Sequence, residues 1–194
     1  MVHAFLRPGE GVSGTLVGTV RAQAHRVAAA RRLPVVVVDA AAGVGCPVIA
    51  SLHNADLALV VAEATLSGLH DATRVMRLAI GMGIETALCV NRWDLEPEIA
   101  DRVEEEARTL GATVAPRVRD DSEFVASQLR REAVVERAVG GAAADIARLW
   151  DQLRHRLFDA PGADTRAQGL QALRAGRATL RQRTSQTPPA RSFT

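Results

Sequence analysis

Five residues carry the chemistry this sequence can offer: Asp39 and Gly43 after one apolar run, and Asn91, Arg92 and Asp94 after another. Val35-Val36-Val37-Val38 stops on Asp39, and the chain continues through Ala40-Ala41-Ala42 to Gly43 and then Val44-Gly45-Cys46-Pro47. A carboxylate at such a point can hold Mg²⁺ directly or through water, and a glycine four positions on lets a backbone N–H approach a phosphate. Taken alone, the pair is equally an aspartate that opens a turn before a glycine-rich loop. Leu88-Cys89-Val90 stops on Asn91, 52 positions after Asp39. An asparagine presents a donor and an acceptor together, which matches a purine edge, and the planar guanidinium and aliphatic stem of Arg92 can lie along a base. Asp94 completes the turn and can also cap the helix that follows.

These residues need a scaffold that brings strand ends together, and the rest of the chain supplies the pattern for one. Leu33–Asp39 is a continuous β-branched run, the signature of a strand buried on both faces. Strands are expected at Ala55–Glu63, Thr86–Asn91 and, more weakly, Thr113–Val118, with a brief one at Met1–Leu6. Helices are expected at Thr15–Arg31 after a Ser13 cap, Ser67–Met82, Pro97–Leu110 with Glu104-Glu105-Glu106 facing water, Ser122–Arg131, and Ala142–Phe158 with Trp150 in the core. Strands alternating with helices predict an α/β fold, a mostly parallel sheet flanked by helices. In such a sheet, ligands bind in the crevice at the carboxyl ends of the strands, where both motifs lie.

Composition narrows the classes. The chain has 194 residues, 47% of them hydrophobic and 24% charged, which suits one globular domain over residues 1–158. The formal charge of +2 argues against nucleic acid as a main partner. Residues 159–194 shift to Pro, Gly, Gln, Thr and Arg and read as a flexible tail; its basic character allows weak contact with an anionic surface, nucleic acid included. The two cysteines, Cys46 and Cys89, lack the spacing of a disulfide framework or zinc site, Cys46 reads as a small packing residue, and a reducing cytoplasm fits. No stretch is long and apolar enough to span a membrane. All 24 Lys+Arg residues are arginine, so the sequence holds no glycine-rich loop whose lysine reaches β- and γ-phosphates.

The motifs together carry a resemblance. Asn91-Arg92-Trp93-Asp94 resembles the N-K-x-D base-recognition element of GTPases, with arginine in the lysine place. The longer series is more specific: Asp39 through Gly43-Val-Gly-Cys-Pro-Val48, then Glu63-Ala-Thr-Leu-Ser-Gly-Leu-His-Asp71, then Asn91 through Leu95. It is similar to the MinD/ParA-type P-loop ATPases, most of all to those with an inserted ferredoxin domain. The resemblance covers roughly residues 1–155, the C-terminal portion of a full member, and it lacks the Walker A loop and the ferredoxin insert. It implies ATP and Mg²⁺ as ligands, with Asp39 holding Mg²⁺ through water, Gly43 at the γ-phosphate, and Asn91, Arg92 and Asp94 on the adenine side. Full-length relatives carry an iron–sulfur cluster, for which this sequence has no ligands.

Departures from the family pattern lie at the site. Ala40-Ala41-Ala42 stands for Gly-Pro-Pro, Glu63-Ala64-Thr65 for Glu-Pro-Thr, and Val118-Arg119-Asp120-Asp121 for Ile-Pro-Tyr-Asp. The resemblance also implies a central strand, between those ending at Asp39 and Glu63, that the sequence does not contain. Orphaned buried ladder groups would cost roughly 1–3 kcal/mol each. The expectation is a residual ATP-binding domain, not hydrolytic alone, that needs a Walker A half from another chain or a homodimer partner. The alternative is a non-catalytic interaction protein or decayed remnant of such an ATPase.

Overall fold

The computed structural model describes residues 1–6, 11 and 13–159. Three parallel strands order the middle of the chain: β1 (Leu57–Glu63), β2 (Glu85–Asn91) and β3 (Thr113–Val114), side by side in that order. β1 and β2 pair from Leu57 with Glu85 to Glu63 with Asn91, so both strands end level with each other. β3 pairs Thr113 with Ala87 and Val114 with Leu88, and a single further bridge joins Val118 to Asn91.

Two crossover helices make the parallel arrangement possible. The helices α1 (Gly14–Arg31) and α2 (Cys46–Leu52) come first, and α3 (Leu66–Gly81) then links β1 to β2. It starts where Thr65 Oγ1 accepts the Gly68 N–H at 2.9 Å, the side-chain cap that satisfies one orphan donor. α4 (Pro97–Leu110) links β2 to β3 and begins with a proline, whose missing N–H costs nothing in a first turn. Ala100, Val103 and Ala107 lie three and four residues apart on α4 and are fully buried. With Ala72 and Met76 of α3 they cover the sheet face formed by Val60, Ala62, Leu88 and Val90.

The opposite face carries Leu59 and Cys89, packed with Ala115, Val118, Ala142, Ile146 and Leu149. Ala142, Ile146 and Leu149 lie on α7 (Gly141–Arg154), which follows α5 (Glu123–Arg130) and the one-turn α6 (Val134–Arg137). Met1–Gln152 is one compact unit, and a second unit begins at Leu153. The described part of the second unit holds the end of α7 and a π-helical turn, His155–Asp159. The tail expected over residues 159–194 lies, apart from Asp159, outside the described residues.

Several expectations fail, each for a physical reason. Leu33–Asp39 is not a ladder strand: among the described residues no strand pairs with it, and Val37 is 82% exposed. A β-branched run becomes a strand only where a neighbour accepts its ladder, and here none is described. Met1–Leu6 likewise forms no strand. Glu104 is buried, drawn in by Arg108 and Arg117, while Glu105 faces water. Trp150 is 44% exposed, and Leu149 takes the core position instead. Cys46, expected to be packed, is exposed.

Candidate nucleotide site

The carboxyl ends of β1 and β2 bring Glu63 and Asn91 into register, and the Val118 bridge adds the segment after β3. Asn91 is half-buried, and its carboxamide makes no hydrogen bond to another described residue. Val118 donates its N–H to Val90 O at 3.0 Å, and Trp93 donates to Val118 O at 3.4 Å. The Asn91–Asp94 turn and the 118–121 turn are therefore held as one surface.

Arg92 sits at φ +55°, a left-handed conformation that costs an L-residue about 1 kcal/mol. Its side chain is held across the strand ends. Nε donates to Asp120 Oδ1 at 3.0 Å, and Nη1 lies 3.6 Å from Glu63 Oε1. The carboxylate of Asp120 raises the guanidinium further above its ordinary value. Asp94 Oδ1 accepts the Asp120 N–H at 2.8 Å. Arg92 and Asp94 thus serve first to join two turns, whereas the Asn91 carboxamide at this end has no hydrogen-bond partner among the described residues.

Sequence reasoning missed the residues that fix this surface from behind. Asp145 of α7 is 1% exposed and takes three donors from Arg119: Nε at 2.7 Å, Nη2 at 3.0 Å and the backbone N–H at 3.1 Å. Arg148, one turn on, also donates to it. The Arg119 hydrogen bonds, against the opposing effect of burial, hold the Asp145 carboxyl below the usual carboxylate range. Asp121 accepts the N–H groups of Ala142 and Glu123, each at 3.0 Å, and those bonds lower its pKa too. A signal existed in the sequence: an acid between Ala142 and Leu149 falls on the apolar stripe of its helix. On the other side, the Arg117 guanidinium lies 5.3 Å from the Trp93 ring centroid and pairs with Asp101 and Glu104.

The first motif lies in a different setting. Asp39 and Gly43 belong to the stretch that leads from α1 into α2, with Asp39 exposed and Gly43 at φ +90°. Open space surrounds a Cβ at Gly43, so conformation and not crowding favours glycine there. No hydrogen bond between described residues joins Asp39 or Gly43 to the Asn91 turn. α2 is anchored below by Val48 and Leu52, which pack with Ala58, Ala79 and Ile84. Among the described residues, no group of three or more His, Cys, Asp or Glu side chains could hold a metal ion. No described helix is long and apolar enough to cross a membrane.

The architecture matches the MinD cell division protein of Aquifex aeolicus with a TM-score of 0.59 and 21% identity, over 74% of this chain and 61% of that one. The chain has the MinD fold. A MinC:MinD complex from the same organism matches equally, with a TM-score of 0.59 and 21% identity over 75% and 60% of the two chains. The chain thus spans about three fifths of the MinD chains it matches. Two uncharacterized proteins of Methanocaldococcus jannaschii are similar over shorter stretches. MJ0579 is 37% identical over 59 residues, 30% of this chain and 22% of that protein. MJ0578 is 29% identical over 92 residues, 47% of this chain and 32% of that protein. No family model matches the chain. The MinD likeness accounts for the parallel sheet and its crossover helices.

Proposed function

We propose that this chain contributes the base-facing and magnesium-facing residues of a MinD-type ATP site whose phosphate loop and lysine lie outside these 194 residues. The observation that carries the reading is Asn91. Its carboxamide is unspent at the carboxyl end of β2, in a MinD-like fold, on a surface whose other polar groups hold one another in place. Asp39 fits Mg²⁺ as one ligand acting through water beside the phosphates of a nucleotide, since Mg²⁺ keeps several waters and takes one or two carboxylates. Gly43 gives the loop the conformation for a close phosphate approach. Two free thiols fit a cytoplasmic setting.

Hydrolysis by these residues alone is not part of the proposal. Phosphoryl transfer depends on positioned positive charge at the phosphates, and the chain has no lysine to place there. The MinC:MinD complex gives the fold a precedent for protein partners. Titration of the full chain with ATP and Mg²⁺ is expected to show millimolar affinity, raised when a separately produced polypeptide bearing a lysine-containing glycine-rich loop is added. Absence of any gain on addition would sink the shared-site reading.

One observation favours a second reading. Leu33 and Val37 of the apolar Leu33–Asp39 run are exposed, as part of a surface for another protein would be, so the chain would be a non-catalytic interaction protein or a remnant of an ATPase. Capture of the same partner by wild type and by Val37→Asp would count against that run as the contact.

A further inference from the structure

The turn 118–121 is tied residue by residue to different elements. Val118 is bridged to Asn91, Asp120 is held by Asp94 and Arg92, and Asp121 receives the start of α7. Arg119 stands between them, and three of its nitrogens donate to one buried carboxylate, Asp145. We infer that Asp145 is a positioning residue for the base end of the nucleotide site, acting through Arg119 on the turn against which Asn91 and Asp94 rest. The inference rests on the ATP-site reading above.

Stability alone is a poor account of this carboxylate. A buried charge must be desolvated, and replacing a buried ion pair with apolar side chains is often neutral or stabilising. The geometry gives Asp145 a more specific task, because it holds both the backbone and the side chain of one turn residue and so fixes that residue's place and orientation. Asn91 has no side-chain tether among the described residues, so its direction follows the backbone of the β2 end and the turn bridged to it. Loosening Arg119 therefore acts on base recognition and leaves the Asp39–Gly45 loop, which is not bonded to the turn, as it was.

The test uses the full chain, titrated separately with ATP and GTP in the presence of Mg²⁺, with the backbone amide signals of Asn91 and Arg92 followed by NMR. The wild type is expected to prefer ATP, and Arg119→Gln to reduce the ATP-over-GTP ratio by about tenfold. Asp145→Asn should do the same; Arg119→Gln, whose side chain is half exposed, covers the case in which the buried change prevents folding. Arg148→Gln removes a bond to Asp145 without touching the turn and should leave the ratio unchanged. Equal weakening of both nucleotides, an unchanged ratio in Arg119→Gln, or an equal fall in Arg148→Gln would overturn the inference. A wild type that binds both nucleotides without preference would overturn it too, while leaving the ATP site standing. A wild type that binds neither would remove the ATP-site reading and this inference with it.

Discussion

Two runs of similar composition meet different fates in this molecule. Leu33–Asp39 and Glu85–Asn91 are both apolar and β-rich, and both end on a polar residue suited to a ligand. The second lies between two strands, with Ala87 and Leu88 fully buried and its terminal Asn91 fixed by a bridge. The first has no described strand beside it, and Val37 stands in solvent. Side-chain character thus sets what a segment can become, and the neighbour decides whether it does. For the proposed ATP site the consequence is unevenness: the Asn91 end is held in place by the turn bridged to it, while no hydrogen bond between described residues ties the Asp39 end to it.

The largest test of that contrast is a pair of truncations. Leu88→Ala removes a fully buried side chain and should lower the unfolding free energy by about 3 kcal/mol, whereas Val37→Ala should change it by less than about 0.5 kcal/mol. Urea midpoints at constant slope would measure both, and a comparable loss at Val37 would show that the first run is packed after all. Next comes Gly68→Ala. A Cβ there would lie 2.3 Å from the Glu63 carbonyl oxygen, so α3 and the end of β1 would have to part, at a cost of about 2 kcal/mol. Melting that is indifferent to this methyl group would mean the strand end is not clamped.

A smaller effect is expected from pH. The native pKa values of Asp145 and Asp121 are lowered, so the stability they contribute is complete above the ordinary carboxylate range and lost as pH falls through their native values. Urea midpoints followed from about pH 7 down to about pH 3 should fall, and Arg119→Gln should flatten that fall because it removes the hydrogen bonds that do most to lower the Asp145 pKa. An identical slope in the variant would place the acid sensitivity elsewhere. The smallest expectation leaves stability alone. Cys46 is exposed, whereas burial pushes the Cys89 thiol up to about 11, so a thiol reagent at neutral pH should label Cys46 in the folded chain and Cys89 only after unfolding. Labelling of Cys89 in the native state would mean that β2 opens readily.

Much of this was legible in the sequence, and the reasons are particular. β1, β2, α3 and α4 announce themselves through apolar spacing, the Thr65 cap and Pro97, because local chemistry and tertiary packing agree there. Leu33–Asp39 misled because pairing is non-local. Glu104 misled because three consecutive acids look alike, yet its place four residues after Ala100 turns it toward the buried face, where Arg117 meets it. The place of Asn91 at the carboxyl end of β2 was readable from the apolar run that it terminates. The structural use of Arg92 and Asp94 was not, since their partners Asp120 and Glu63 lie 28 and 29 positions from Arg92 in the chain.

β1 has a consequence for how this chain behaves in solution. It closes the sheet on one side, no described strand covers its outer edge, Val61 is 59% exposed, and its only charge is Glu63. Proteins that keep such an edge open normally guard it with lysine or proline, and β1 has neither. The edge is a template for whichever extended segment arrives first. Co-synthesis with a strand-donating polypeptide therefore favours a clear, monodisperse preparation, and concentrating the chain by itself favours β-rich precipitate.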